Sequence, residues 1–124
     1  MPKPIGRIPP QDLEAEKSII GAILLDSAAI VNVVQSLKSE HFYSPAHGDI
    51  YTAIYELYER REPVDLVTLT AQLKSNGKFD KVGGSAYLAS LAAAVPTSAN
   101  IGQYARIVRD HFIKRRLITS AAKV

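Results

Sequence analysis

The stretch "NIGQYARIVRDHFIKRRLITSAAKV" (residues 100–124) has the pattern of one long helix whose apolar stripe changes side partway along. At about 100° per residue, the two stripes lie about 150° apart around the helix. The first half carries Ile101, Tyr104, Ala105, Val108 and Phe112, and the second half carries Ile113, Leu117, Ala121 and Val124. Because one stripe packs on one surface, the pattern predicts two packing partners: the body of the domain, then a further helix or another subunit. The alternative is an irregular pattern on a solvated tail.

Helix signals also fill the chain upstream of residue 100, and no segment has the pattern of a strand. We predict an all-α fold with a compact head of about five helices at 11–99 and a long last helix at 100–124. Four prolines and a glycine predict a flexible lead-in at 1–10. The predicted helices of the head cover 11–25, a second segment after Asp26, a third from Pro45, a fourth from Leu66 and a fifth at about 84–94.

The helix boundaries follow from capping signals. Asp26 and Ser27 supply an N-cap for the second segment, where an apolar face falls at Ile30, Val33, Val34 and Leu37. Ser44 precedes Pro45, a residue suited to the first turn, and Asp65 precedes the fourth helix. The aromatic line Tyr51, Tyr55 and Tyr58 could stack on bases, but its helical spacing favours core packing.

Charge is distributed unevenly along the chain. Of the formal net charge of +3, residues 1–99 contribute nine Lys and Arg against eleven Asp and Glu, whereas residues 100–124 contribute six against one. A basic helix can bind the phosphates of nucleic acid, which makes Arg109, Lys114, Arg115 and Arg116 candidates for weak DNA contacts. The same charges can equally form the solvated flank of a helix.

Residues able to support catalysis or metal binding are hard to find. The chain has no cysteine, and Gly77-Lys78 lacks both the upstream glycine and the following Ser or Thr of a P-loop. The three histidines do not have metal-ligand spacing, and we expect His47 at the surface or in a helix cap. We therefore predict no catalytic residue, cofactor or metal in this chain. Without a signal peptide or an apolar run long enough to span a bilayer, we expect a cytoplasmic protein.

Several strings together carry a family resemblance. "RIPPQDLEAEKSIIGAILLD", "HFYSPAHGDIYTAIYELYERREPVDLVTLTAQLKSNG", "VGGSAYLASLAAAVPTSANIGQYARIV" and "RRLI" occur in order across residues 7–124. In combination they resemble the N-terminal domain of bacterial replicative DNA helicases of the DnaB family. The resemblance implies an all-α head followed by a helical hairpin, of which residues 100–124 would form the first arm.

Further expectations come from the resemblance alone. The family's helicases are ring-shaped hexamers that unwind DNA with ATP and Mg²⁺ bound in a C-terminal ATPase domain, which is absent here. Their N-terminal domains form a collar, a trimer of dimers around the DNA, that binds the helicase-binding domain of primase and in some bacteria takes part in loading. The chain itself is therefore expected not to be an enzyme.

The resemblance also assigns residues. Hairpin and subunit packing would fall to Ile113, Leu117, Ala121 and Val124, and primase contact to Tyr87, Ile118 and Val124. Core packing is the rival role for Tyr87, and subunit pairing is the rival role for Ile118 and Val124. The alternative functions are a basic helical DNA-binding module and a helicase-loading factor.

Overall fold

Helix α1 (Leu13–Leu25) forms the centre of the head in the computed structural model, which describes residues 8–122. Its side chains at Ile19, Ile20, Ala22 and Ile23 are fully buried. The helix contacts the helices α2 (Pro45–Glu59), α4 (Gly84–Ala92) and α5 (Ile101–Ala122). A helix that is apolar on most of its circumference is stable only when neighbours cover it on several sides, and the rest of the head supplies that cover.

The remaining elements complete an all-α architecture, as predicted. Helix α3 (Leu66–Ser75) packs on α2 and α4, and two short 3-10 helices cover Ser27–Asn32 and Ser39–His41. Within residues 8–122 there is no strand. Residues 93–100 connect α4 to the long last helix.

The segment after α1 differs from the predicted second helix. It forms a 3-10 helix over Ser27–Asn32 and then turns through residues 33–36. Four of the five residues from Ile30 to Val34 are β-branched, and such side chains lose rotamer freedom in an α-helix. The predicted apolar face is nevertheless correct, because Ile30, Val33, Val34 and Leu37 are all buried.

Helices α2 and α3 begin where the capping signals placed them. The Ser44 hydroxyl accepts the N–H of His47 at 3.3 Å, with Pro45 in the first turn. Asp65 and Thr68 form a reciprocal capping box at 2.8 and 2.9 Å.

The predicted line of tyrosines on α2 is only partly in the core. Tyr51 is buried and its hydroxyl donates to the Leu37 carbonyl at 2.9 Å, whereas Tyr55 is exposed.

Close approach of α1 to the end of α4 depends on Gly21. A Cβ at this position would lie 2.5 Å from the Leu91 carbonyl oxygen and 3.1 Å from the Ala94 Cβ. Both neighbours belong to the backbone or to a short side chain, so neither can rotate away. The absence of a side chain therefore sets the distance between these two helices.

We predict that Gly21→Ala lowers the free energy of unfolding by about 1–3 kcal/mol, because overpacking outweighs the gain in helix propensity. Gly102→Ala on α5 is the matched control, since apart from its own chain neighbours and helix backbone no atom lies within 4 Å of its added Cβ. That variant should be neutral or stabilised by up to about 1 kcal/mol. Urea unfolding measures both, and an unchanged midpoint in Gly21→Ala would contradict the close approach.

Candidate docking surface

Helix α5 is buried along its first half and exposed along its second. Ile101, Ala105 and Val108 are buried against the head. Ile113 and Leu117, from the second stripe, are 53% and 65% exposed, and Ala121 is also exposed. Val124 lies outside the described residues. The second stripe therefore has no covering surface within the part of the chain that the structure describes.

Ile118 projects from the same half of α5 but on another side. It is 56% exposed and lines a mostly apolar groove with Thr119 and Arg115 on one wall. The other wall is the extended segment Ile8, Pro9 and Pro10. An exposed apolar side chain beside a groove is a typical anchor point for a protein partner.

Arg115 fixes the direction in which α5 leaves the head. Its two terminal nitrogens donate to the carbonyls of Pro10 at 2.8 Å and His41 at 2.9 Å. The guanidinium also lies 5.3 Å from the ring centre of Tyr43 and 5.8 Å from that of Phe112. These contacts join the lead-in, the second 3-10 helix and the last helix.

The other three candidate DNA contacts lie in different surroundings. Arg109 donates to the Ser36 hydroxyl at 2.8 Å, and the Arg116 guanidinium lies 5.6 Å from the Phe112 ring centre. Lys114 is exposed. Arg109 and Arg115 thus make contacts within the domain, which leaves fewer of their donors available for phosphates.

Phe112 packs on the ring of His41 with the ring centres 4.7 Å apart. The Nδ1 atom of His41 accepts the N–H of Lys38 at 3.0 Å. Burial lowers the pKa of His41, and the nearby cations Arg109, Lys38 and Arg115 lower it further against the opposing effect of Glu40. A neutral imidazole is therefore favoured at the point where α5 leaves the head.

Tyr87, the other primase-contact candidate, has two environments. Its ring is half-buried and lines a shallow depression with Ala46, Val82, Gly83, Ala86 and Ser90. Gly83 has a φ of 117°, and a Cβ there would lie 2.7 Å from the Cβ of Tyr87. The hydroxyl points inward and lies 2.6 Å from Nε2 of His47. Tyr87 is therefore partly packed within the head and partly open to solvent, and its proposed contact with primase stays a prediction.

His47 continues this contact into the core. It is 2% exposed, and its Nδ1 lies 2.8 Å from Oε1 of Glu16, which is 1% exposed. Glu16 also accepts the backbone N–H groups of Tyr43 at 2.6 Å and Ser44 at 3.2 Å. We name Glu16, His47 and Tyr87 the polar relay.

Electrostatics at the two ends of the polar relay differ. Glu16 faces the N-terminus of α2, where the unpaired N–H groups and the helix dipole favour a negative charge. At the outer end, burial raises the pKa of Tyr87, Lys17 lowers it, and Glu16 and Glu14 raise it. The Tyr87 hydroxyl therefore keeps its proton at neutral pH.

Sequence reasoning missed the polar relay and wrongly placed His47 at the surface, whereas its side chain is buried and its backbone N–H takes part in the cap at Ser44. A usable signal existed for Glu16, which shares helical spacing with the buried residues Ile19, Ile20 and Ile23. A carboxylate on a buried stripe needs internal partners. No spacing pattern pointed to those partners, because His47 and Tyr87 lie 31 and 71 positions further along the chain.

The described part of the chain contains neither a candidate metal site nor a candidate membrane span. Within residues 8–122, no three His, Asp or Glu side chains form a group that could hold a metal ion. None of the helices in that range combines the length and apolar character that a membrane span requires.

A helix that keeps an apolar stripe exposed is typical of a domain that associates with other protein surfaces, and fold and surface assign the chain to this class. Residues 8–110 match the family described as the DnaB-like helicase N-terminal domain. The chain belongs to this family, which confirms the resemblance.

Individual relatives agree with this assignment. The chain is 48% identical over 118 residues to the replicative DNA helicase DnaB of Geobacillus stearothermophilus, covering 95% of this chain and 26% of the relative. It is 47% identical over 119 residues to that of Mycobacterium leprae (strain TN), covering 96% of this chain and 20% of the relative. The chain thus spans about a fifth to a quarter of these helicases, and the remainder has no counterpart in its sequence.

Solved structures give the same result. The crystal structure of the N-terminal domain of DnaB helicase from Mycobacterium tuberculosis matches with a TM-score of 0.90 and 45% identity, covering 94% of this chain and 83% of that one. A DnaB-like replicative helicase, studied with its interactions with primase, matches with a TM-score of 0.78 and 31% identity, covering 90% and 26%. The fold therefore corresponds to the N-terminal domain of DnaB-type replicative helicases.

We predict that Glu16→Gln lowers the free energy of unfolding by about 2–4 kcal/mol, because it removes the buried carboxylate that accepts two backbone N–H groups and contacts His47. Glu14→Gln is the matched control on the same helix, since the Glu14 side chain is 85% exposed. That variant should change stability by less than about 0.5 kcal/mol. Thermal and urea unfolding measure the difference, and equal stabilities would contradict the structural role of Glu16.

Proposed function

We propose that this chain is the non-catalytic collar domain of a hexameric replicative DNA helicase, active in the bacterial cytoplasm at the replication fork. The observation that carries the proposal is the exposed apolar stripe on the second half of α5, where Ile113 and Leu117 are more than half exposed. Apolar side chains in such a row are covered in the working state of a protein. Because the chain belongs to the DnaB-like N-terminal domain family, we propose that other helicase subunits and primase cover these side chains.

Subunit assembly is the first proposed role. Ile113, Leu117 and Ala121 recur at intervals of four residues, so they form one line along α5 that a second helix can cover. Val124 is proposed as the next member of the line. Residues 100–124 would be the first arm of a hairpin, and paired hairpins would build a trimer of dimers from the heads at 11–99.

Primase docking is the second proposed role. A relative with 31% identity has been studied with its interactions with primase. We place the contacts at the depression around Tyr87 and at the groove beside Ile118, with Val124 as a further candidate. Both are concave, mostly apolar surfaces with one exposed or half-exposed anchor side chain.

Catalysis is assigned to the part of the helicase that this chain does not cover. ATP and Mg²⁺ would bind there, and DNA would pass through the assembled ring. Contacts to DNA through Lys114 and Arg116, or through Arg109 and Arg115 where their internal bonds open, would be weak. A helicase loader is a further candidate partner of the collar.

We predict that Leu117→Glu, introduced into the full-length helicase, shifts hexamers toward smaller species. A charge in the apolar stripe would have to be buried without a partner, which is costly. Gln103→Glu is the matched control, because it adds the same charge at an exposed position in the first half of α5. Sedimentation velocity over a concentration series measures the distribution, and hexamers as stable as the wild type would contradict assembly through this stripe.

We further predict that Tyr87→Ala and Ile118→Glu each weaken binding of the helicase-binding domain of primase by about 10-fold or more, as expected for interface anchors. Val67→Glu is the matched control for the second variant, because Val67 is 78% exposed on α3. Calorimetric titration measures affinity, and circular dichroism checks that helicity is retained. Undiminished binding in both variants would remove these residues from the docking surface.

A further inference from the structure

The polar relay joins the centre of the head to its surface. Glu16 on α1 and His47 on α2 are almost completely buried, and Tyr87 on α4 is half-buried. The two links are short, 2.8 Å from Glu16 to His47 and 2.6 Å from His47 to Tyr87. The His47 and Tyr87 rings are nearly parallel, with 8° between their planes. Each member therefore constrains the orientation of the next.

The donors and acceptors of the polar relay can be assigned by starting from Glu16, its buried end. The N–H groups of Tyr43 and Ser44 can only donate, so both oxygens of Glu16 act as acceptors. An ionised carboxylate carries no proton and is favoured at the N-terminus of α2. The proton shared with His47 must consequently reside on Nδ1 of the imidazole.

The outer end depends on the ring of His47, which has only a lone pair on Nε2 when it is neutral with its proton on Nδ1. An imidazolium would instead donate from Nε2, but with a neutral ring the Tyr87 hydroxyl at 2.6 Å donates its proton inward to His47. The phenolic oxygen keeps its lone pairs, so it can accept a hydrogen bond from outside but cannot donate one.

Charged side chains do not line the depression around Tyr87, so they do not select the partner there. The residues that line it beside Tyr87 are uncharged. On α1, Lys17 and Glu14 pair with each other at 3.4 Å, which leaves no net charge from those two side chains. Selectivity at this point therefore depends on the hydrogen-bonding character of Tyr87.

We propose that His47, oriented by Glu16, is a positioning residue that makes the Tyr87 hydroxyl an acceptor toward the docking partner. The partner surface at this point then supplies a hydrogen-bond donor: a lysine ammonium, an arginine guanidinium or an amide N–H. This inference rests on the proposed docking of primase at Tyr87. It adds the chemistry by which the partner is recognised.

The tautomer is tested on this chain alone. Long-range proton–nitrogen correlation spectra of the His47 ring should show the proton on Nδ1 and an unprotonated Nε2 at neutral pH. A proton on Nε2 would overturn the proposed direction, because Tyr87 would then accept from His47 and offer its own proton outward.

The contribution to binding is tested with the helicase-binding domain of primase as the probe. Tyr87→Phe keeps the ring and removes the hydroxyl, and we expect affinity to fall about 3- to 10-fold, as for one lost hydrogen bond. Tyr55→Phe is the matched control, because Tyr55 is exposed on α2 outside the depression. Melting temperatures are recorded for every variant so that affinity is compared only between folded domains.

The positioning role is tested by a double-mutant cycle. His47→Asn can still donate to Glu16 from its amide, but it has no group that reaches Tyr87. We expect His47→Asn to weaken primase binding in the presence of Tyr87 and to have no further effect in Tyr87→Phe. Independent, additive effects would overturn the positioning role, since a purely structural change would lower affinity in both backgrounds.

The donor on the partner is tested by combining Tyr87→Phe with substitutions across the primase surface. We expect coupling to a Lys, Arg, Asn or Gln side chain or, for a main-chain donor, loss of affinity in Tyr87→Phe without any coupled side chain. Coupling to an Asp or Glu would overturn the assignment of donor and acceptor.

Failure of this inference is distinguishable from failure of the docking proposal. If Tyr87→Ala weakens binding and Tyr87→Phe does not, docking at Tyr87 stands and the hydrogen-bond inference is wrong. If neither variant weakens binding, the docking proposal at Tyr87 fails and the inference fails with it. Reduced affinity in both variants, with the expected coupling to His47, supports both.

Discussion

A buried carboxylate imposes the strictest requirement in this domain. Glu16 lies among fully buried isoleucines on α1, where an ionised group without partners would cost several kcal/mol. Its partners are the first N–H groups of the α2 region and the ring of His47 in the first turn of α2. The start of α2 is therefore fixed against α1. Because His47 then meets Tyr87, the position of α4 depends on the same contact.

The exit of α5 from the head depends on a second set of contacts. These contacts involve charged residues that a count of charges along the sequence would place at the surface. Arg115 binds two carbonyls from separate segments, and Phe112 packs on His41 one turn earlier. Such bonds from a charged donor are stronger than neutral ones. The half of α5 beyond this point is consequently directed by the head but not covered by it. A rigid exit with an uncovered stripe suits assembly better than a flexible tail would.

The parts of this structure that could be predicted are those that depend on residues close together in the sequence. The first stripe of α5 and the caps at Ser44 and Asp65 each involve neighbours within one or two helical turns, and the sequence pattern predicted them correctly. The second segment was predicted as an ordinary helix, and there the β-branched run favoured a 3-10 helix followed by a turn. The polar relay and the hydrogen bonds of Arg115 to the carbonyls of Pro10 and His41 were missed because the partners are distant in sequence. Their geometry depends on how whole helices pack.

Stability alone does not account for the polar relay. Replacing a buried ionic network by apolar side chains of similar volume is often neutral or stabilising in proteins. Such a replacement would have to change the whole network, because an apolar residue at position 16 alone would leave the N–H groups of Tyr43 and Ser44 without an acceptor. What an apolar substitute cannot reproduce is the pair of short contacts that holds the Tyr87 hydroxyl against His47 beside the depression. Glu16 thus orders the hydrogen bonding beside the depression at which we propose that a partner docks.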